Sequence, residues 1–190
     1  MKIGILTIGQ ADPDITSRIQ ENLNMTLTEH TFTCLTRAMP LPKEAIDEDR
    51  QQHQSHVILT HIHALAEKTQ SVDRVLGIAD VDIYVPPLSF VFGEAESPGK
   101  VALISLWRLR PEFYKRKPDI ELLVERATKE AIHELGHTFG LKHCTNPFCI
   151  MYFSNSIFET DRKQSLFCNK CYLKPEKTKD RQDENLERPR

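Results

Sequence analysis

The sequence predicts an α/β fold: an N-terminal lobe of mixed sheet and helices, a long helix that closes it, and an irregular C-terminal lobe. Three observations predict this. Short β-branched runs alternate with amphipathic helical patterns over the first half of the chain, the mark of α/β layering. One uninterrupted helical pattern then runs from Asp119 to Phe139. Beyond it apolar residues thin out and four cysteines appear, Cys144, Cys149, Cys168 and Cys171. A length of 190 residues suits a single domain. The expected domain spans 1–173, with an N-terminal lobe at 1–140 and a C-terminal lobe at 141–173. A solvated, disordered tail is expected at 174–190, where charged residues and proline replace apolar ones.

Taken in order, Lys2 to Ile8 is an apolar-biased run closed by Gly9 and reads as a buried strand. Pro13 and Asp14 open a helix through Leu27, with Ile15, Ile19, Leu23 and Leu27 on one face. Thr31 to Arg37 reads as a second strand, in which Cys34 is a small core residue. Pro40 and Pro42 break the chain ahead of a charged loop, Lys43 to Arg50. A helix from Asp49 to Thr69 follows, apolar along Ile58, Ile62, Leu65 and Ala66. His53, His56 and His63 fall on its opposite side, as a solvated polar face or, alternatively, a second metal site. Arg74 to Ala79, Asp82 to Val85 and Gly99 to Leu106 read as strands, and Leu88 to Phe92 is a short apolar run closed by Gly93. No helix separates these last strands, so at least one antiparallel pairing is expected. Trp107 to Lys117 is basic and aromatic but short and unrepeated, which suits a surface connection better than a nucleic-acid patch. Asp119 is a good N-cap for the long helix and Glu121 suits its first turn. Its core face comprises Ile120, Leu123, Val124, Ala127, Ala131 and Leu135. Further on, Asn146-Pro147 makes a turn and Ser156 to Gln164 a short helix.

The end of the long helix reads His133-Glu134-Leu135-Gly136-His137-Thr138-Phe139-Gly140-Leu141-Lys142-His143, or H-E-x-x-H-x-x-G-x-x-H. Residues four apart share a helix face, so His133 and His137 can each aim a nitrogen at one metal ion. Gly140 can take a positive φ, ending the helix and bringing His143 round as a third ligand. Glu134 projects alongside, near the metal without ligating it. Three neutral imidazoles with an open fourth position describe a catalytic zinc site. Two surface histidines beside a glutamate are the competing reading, which suits a bare H-E-x-x-H better than this longer pattern. Cys144-x4-Cys149 and Cys168-x2-Cys171 form two short hooks, the way a closed tetrahedral thiolate site is built. Such a site leaves no position for substrate and serves to hold a segment too poor in apolar residues to pack alone. Unrelated reduced thiols are the alternative. Because Cys144 follows His143 directly, the second metal would also steady the third histidine.

The histidine pattern resembles that of the metzincin zinc peptidases. Combined with Cys144, Cys149, Met151 and Cys168-Asn169-Lys170-Cys171, it is similar to the archaemetzincins, most closely from Thr128 to Leu173 and more loosely before. The resemblance implies a zincin-like fold and a hydrolase acting on peptide bonds. It implies that His133, His137 and His143 bind a catalytic zinc, and that Glu134 is the general base acting on a zinc-activated water. It also implies that Met151 makes a turn beneath the site and that the four cysteines bind a structural zinc, two zinc ions per chain in all. By the same likeness Leu88 to Gly93 would be the sheet edge above the zinc, where substrate adds as an antiparallel strand. One departure stands out. Several metzincins carry a tyrosine two residues after the methionine; here that position is Phe153, and Tyr152 stands one residue early, so no catalytic role falls to Tyr152.

Composition narrows the partners. Apolar residues at 39% and charged ones at 27% fit a soluble globular protein. A net charge of −2 offers no general attraction to nucleic acid or anionic membrane. The N-terminal run lacks a small-residue cleavage site and reads as a strand, not a leader, and no apolar run has the length of a membrane span. An odd cysteine count with metal-ligand spacing suits a reducing cytoplasm. The expectation is therefore a cytoplasmic monomer acting on peptide or protein, with no nucleic-acid or membrane partner. Two other readings compete: a zinc-bearing module that binds peptides without turnover, and a zinc-ribbon-like nucleic-acid binder using Lys163, Lys170 and Lys174. Glu134 favours an enzyme, since a pure binder needs no base there, and the near-neutral charge counts against the nucleic-acid binder.

Overall fold

A computed structural model describes residues 1–172. Leu173 and the tail at 174–190 lie outside the described residues. The core is a five-stranded sheet with strand order β2-β1-β5-β8-β7. Its strands are β1 (Lys2–Thr7), β2 (Thr31–Cys34), β5 (Arg74–Ala79), β7 (Gly93–Ala95) and β8 (Val101–Ser105). The β1–β2, β1–β5 and β5–β8 pairs are parallel, and β7 runs antiparallel to β8 at the edge. The mixed sheet and its one antiparallel edge are as the element pattern predicts.

Alternation along the strands builds two cores. Ile3, Ile5, Leu76, Ile78, Ala102 and Ile104 face one side, and Leu6, Ile8, Val75, Val101 and Leu103 face the other. The first core is covered by α1 (Pro13–Thr26) and α3 (Ile120–Thr138), the second by α2 (Ser55–Ala66). Asp12 caps α1, its Oδ1 accepting from the Asp14 N–H at 2.9 Å. Asp119 caps α3 in the same way, accepting from the Leu122 N–H at 2.9 Å. Ile120, expected on the core face of α3, is 53% exposed, at the first residue of the helix. The C-terminal lobe holds α4 (Ile157–Arg162), started by a Ser156–Glu159 capping box, and α5 (Asn169–Tyr172).

Several expectations need correction. The second helix starts at Ser55 rather than Asp49. Gln51 takes φ 53° and the Asp47 carboxylate accepts the Arg50 N–H, making a tight turn between β3 (Ile46–Asp47) and β4 (Gln52–Gln54). With β6 (Ile83–Tyr84) these form a separate three-stranded sheet, order β3-β4-β6. His53 therefore lies on a strand, not on the helix. The second strand ends at Cys34, and that residue is exposed instead of buried. Pleating puts it on the face of buried Phe32, and there its thiol meets the Gln20 side-chain oxygen at 3.3 Å. The sheet edge is Gly93–Ala95, and Leu88 to Phe92 is the loop leading into it. The Trp107–Lys117 segment forms two short 3-10 turns, with Arg108 paired to Asp82 and Arg110 to Asp80. Those basic groups serve a structural connection. Among the described residues, no helix is long and apolar enough to cross a membrane.

Candidate metal centres and active-site cavity

His133 and His137 lie one turn apart near the end of α3. Gly140, at φ 83°, stops the helix, and the Leu141 N–H folds back onto the Gly136 carbonyl at 3.0 Å. The reversal brings His143 against the other two rings. His137 Nε2 is 3.2 Å from His133 Nε2 and 3.2 Å from His143 Nε2. Nitrogens at the corners of a zinc tetrahedron lie about 3.3 Å apart, given Zn–N bonds of about 2.0–2.1 Å. The three residues thus fit a single metal ion.

The remaining ring nitrogens are held by backbone. His133 Nδ1 donates to the Ile150 carbonyl and His137 Nδ1 to the Leu141 carbonyl, each at 2.8 Å. These partners select the tautomer whose Nε2 lone pair points inward. Burial pushes His133 well below the usual imidazole range and also lowers His137 and His143. These shifts favour the neutral ring, the form that binds metal.

Glu134 is buried beside this cluster, and burial with Glu130 nearby holds its carboxyl well above the usual range. It lines a cavity of about 570 Å³ together with the three histidines, Phe90, Gly93 and Phe153. The edge strand passes hard against it. A Cβ added at Gly93 would lie 2.6 Å from Glu134 Cγ, so only glycine fits there without a shift. Met151 is fully buried beneath the site, where a Cβ added at Gly136 would collide with its sulfur. Its carbonyl accepts the Cys144 N–H at 2.9 Å. The Phe153 ring lies 4.8 Å from that of His143; Tyr152 is not among the cavity's lining residues.

Cys144, Cys149, Cys168 and Cys171 form the second cluster, with every sulfur within 4.8 Å of the others. Cys144 and Cys168 are 3.8 Å apart, and none of the cysteines is in a disulfide. Zn–S bonds of about 2.3 Å place tetrahedral sulfurs about 3.8 Å apart, so this set also fits one zinc ion. Backbone N–H groups already face the sulfurs, from Cys168 to Cys149 and from Asn146 to Cys144. The Cys171 N–H draws the Cys168 thiol down to about 7, whereas burial raises Cys149 and Cys171.

The described residues contain two groupings that could hold a metal, and these are they. His53, His56 and His63 form no third. His63 Nδ1 instead meets Glu96 at 2.6 Å, and His56 lies 3.7 Å from Glu94. Lys163, which the competing nucleic-acid reading would need at the surface, is buried, with Nζ 3.7 Å from Glu130 Oε2 and donating to the Tyr152 carbonyl at 3.3 Å. Glu130 belongs to no motif, and its place four residues before Glu134, on the same helix face, is the sequence signal that points to it.

Comparison with known proteins agrees with this geometry. Residues 15–177 match the profile of peptidase family M54. The chain is 43% identical over 176 residues to the archaemetzincin of Pyrococcus abyssi, covering 91% of this chain and 93% of that one. It is 43% identical over 175 residues to the archaemetzincin of Methanocaldococcus jannaschii, covering 92% of each. The crystal structure of archaemetzincin from Methanopyrus kandleri superposes with a TM-score of 0.77 at 37% identity, covering 90% of this chain and 91% of that one. That of a zinc-dependent peptidase from Methanocorpusculum labreanum gives 0.81 at 30% identity, covering 90% and 98%.

Proposed function

The chain belongs to peptidase family M54 and is a zinc metallopeptidase, and on that premise we propose a division of labour between its two clusters. His133, His137 and His143 hold the catalytic zinc, with Glu134 as general base, and Cys144, Cys149, Cys168 and Cys171 hold a second, structural zinc. The observation that carries this reading is the convergence of three Nε2 atoms at 3.2 Å spacing on a cavity that Glu134 also lines. A zinc ion there supplies Lewis acidity, lowering the pKa of water and polarising a carbonyl. The rest falls to the chain's own groups. The Glu134 carboxylate takes a proton from the attacking water and returns it to the leaving amine nitrogen. The Ile150 and Leu141 carbonyls keep the imidazoles turned inward. Met151 and Gly136 set the depth of the floor. The substrate lies extended along β7, antiparallel to it, so that its scissile carbonyl meets the base where Gly93 lets the strand come close.

The test is a diverse peptide library incubated with the zinc-loaded protein, with Glu134→Gln as the blank. Cleavage by the parent alone is the expected result. No cleavage by either would favour a module that binds peptide without turnover.

A further inference from the structure

Behind Glu134 lies a buried charged pair that nothing so far has used. Glu130 precedes Glu134 by four residues and so lies on the same face of α3, one turn deeper. Both side chains are buried, at 4% exposure each, and both line the active-site cavity. Glu130 Oε2 has no hydrogen bond among the described residues; the Lys163 ammonium, 3.7 Å away, offsets its charge. Lys163 comes from the other lobe, just past the end of α4, and its side chain is fully buried. Its second contact is the Tyr152 carbonyl, in the turn that follows Met151. One ammonium thus joins the turn beneath the histidines to the carboxyl beneath Glu134.

Packing alone does not call for this arrangement. A lysine is almost never fully buried, and a buried ion pair is often no more stable than apolar residues of the same volume. Such a pair is explained more readily by what it holds in place. We propose that Lys163 and Glu130 are positioning residues that hold the Glu134 carboxylate in its working orientation beside the histidine cluster. Lys163 fixes Glu130, Glu130 fixes Glu134 through one proton shared between the two carboxyls, and the C-terminal lobe is thereby coupled to the base. The inference rests on Glu134 being that base.

The experiment uses the full zinc-loaded chain as parent, Lys163→Met, Glu130→Gln, the double variant Glu130→Met/Lys163→Met, and Glu134→Gln. Three quantities are read: kcat and KM on a peptide the parent cleaves, zinc content, and the Kd of a peptide hydroxamate, which bonds to a correctly placed carboxylate without turnover. Lys163→Met and the double variant should each lose about tenfold or more in kcat and about tenfold in hydroxamate affinity, the size of one charge-assisted hydrogen bond. KM and zinc content should stay close to the parent's. Glu130→Gln keeps an acceptor for Lys163 and a donor for Glu134, so most of the rate should survive. The double variant carries the test if Lys163→Met does not fold, because it removes both members of the ion pair and leaves neither alone. A double variant that is zinc-loaded, with parental kcat and parental hydroxamate affinity, overturns the inference. So does Glu130→Gln falling as far as the double variant, which would make charge rather than placement the cause. A parent no faster than Glu134→Gln overturns the reading of Glu134 instead, and the hydroxamate affinities then still decide whether Lys163 positions that carboxylate.

Discussion

The histidine cluster and the cysteine cluster are joined by a single peptide bond, between His143 and Cys144, yet they are built on opposite principles. Two of the three histidines sit on α3, a helix with Leu123, Val124, Ala127, Ala131, Ile132 and Leu135 buried along its length. Apolar packing supports that helix along its length, and the cluster opens on a cavity. The cysteines sit on turns and one short helix, in a stretch whose buried apolar side chains are few: Leu141, Ile150, Met151 and Ile157 beside the cysteines themselves. On our proposal, a metal is free to do chemistry where apolar area can hold the backbone, and takes over the holding where it cannot.

The largest effect that could break this contrast is on stability. A structural zinc contributes about 10 kcal/mol or more in small zinc domains. Cys171→Ser is therefore expected to unfold the segment after Leu141 and lower the melting temperature sharply, while His133→Ala should shift it little. Melts in the reverse order would dissolve the distinction.

Next in size is the rate effect of Glu134→Gln. General-base catalysis is worth roughly 100- to 10,000-fold, so peptide hydrolysis should fall by about that factor while the fold and zinc content stay as in the parent. A variant with the parent's kcat would leave the histidine cluster without its assigned chemistry.

Smaller effects sharpen the picture. At Gly93 a Cβ would meet Glu134 Cγ and the Leu103 carbonyl. Gly93→Ala should therefore cost about 1–3 kcal/mol through overpacking, and should depress kcat more than the melt implies. Gly140→Ala should cost about 1–2 kcal/mol, because the turn needs a left-handed residue there. It should also weaken zinc retention at the histidine cluster, since His143 hangs on that turn; unchanged zinc dissociation would show the turn to be dispensable.

What the sequence revealed and what it hid divide along the range of the interactions. The histidine spacing, the Asp119 cap, the Gly140 stop and the cysteine hooks are local, set within a few residues by helix and turn geometry, and they stand where the sequence placed them. The errors were in pairings across the chain. β4 pairs with β6 some thirty residues on, through His53 to Asp82 and Ile83, and no period in the sequence announces so short a strand. The structure has the edge strand at Gly93–Ala95, a few residues after Leu88 to Phe92, a run apolar enough to pass for it. Those residues instead form a cavity wall, tied down by Arg50 and Gln52 bonding the Ser89 carbonyl. The residue type of Cys34 suggests core, yet its thiol meets the Gln20 side chain at an exposed position, and Lys163, of a type seldom buried, lies inside beside Glu130.

The central claim is that two metal ions do two separate jobs in one chain, and zinc content with and without one histidine ligand tests it most directly. Elemental analysis of the parent should give about two zinc ions per chain, filling the tetrahedral histidine and cysteine sets. His137→Ala should give about one, in a protein that melts near the parent's temperature and cleaves nothing. Loss of both ions from His137→Ala, or of neither, would contradict the account.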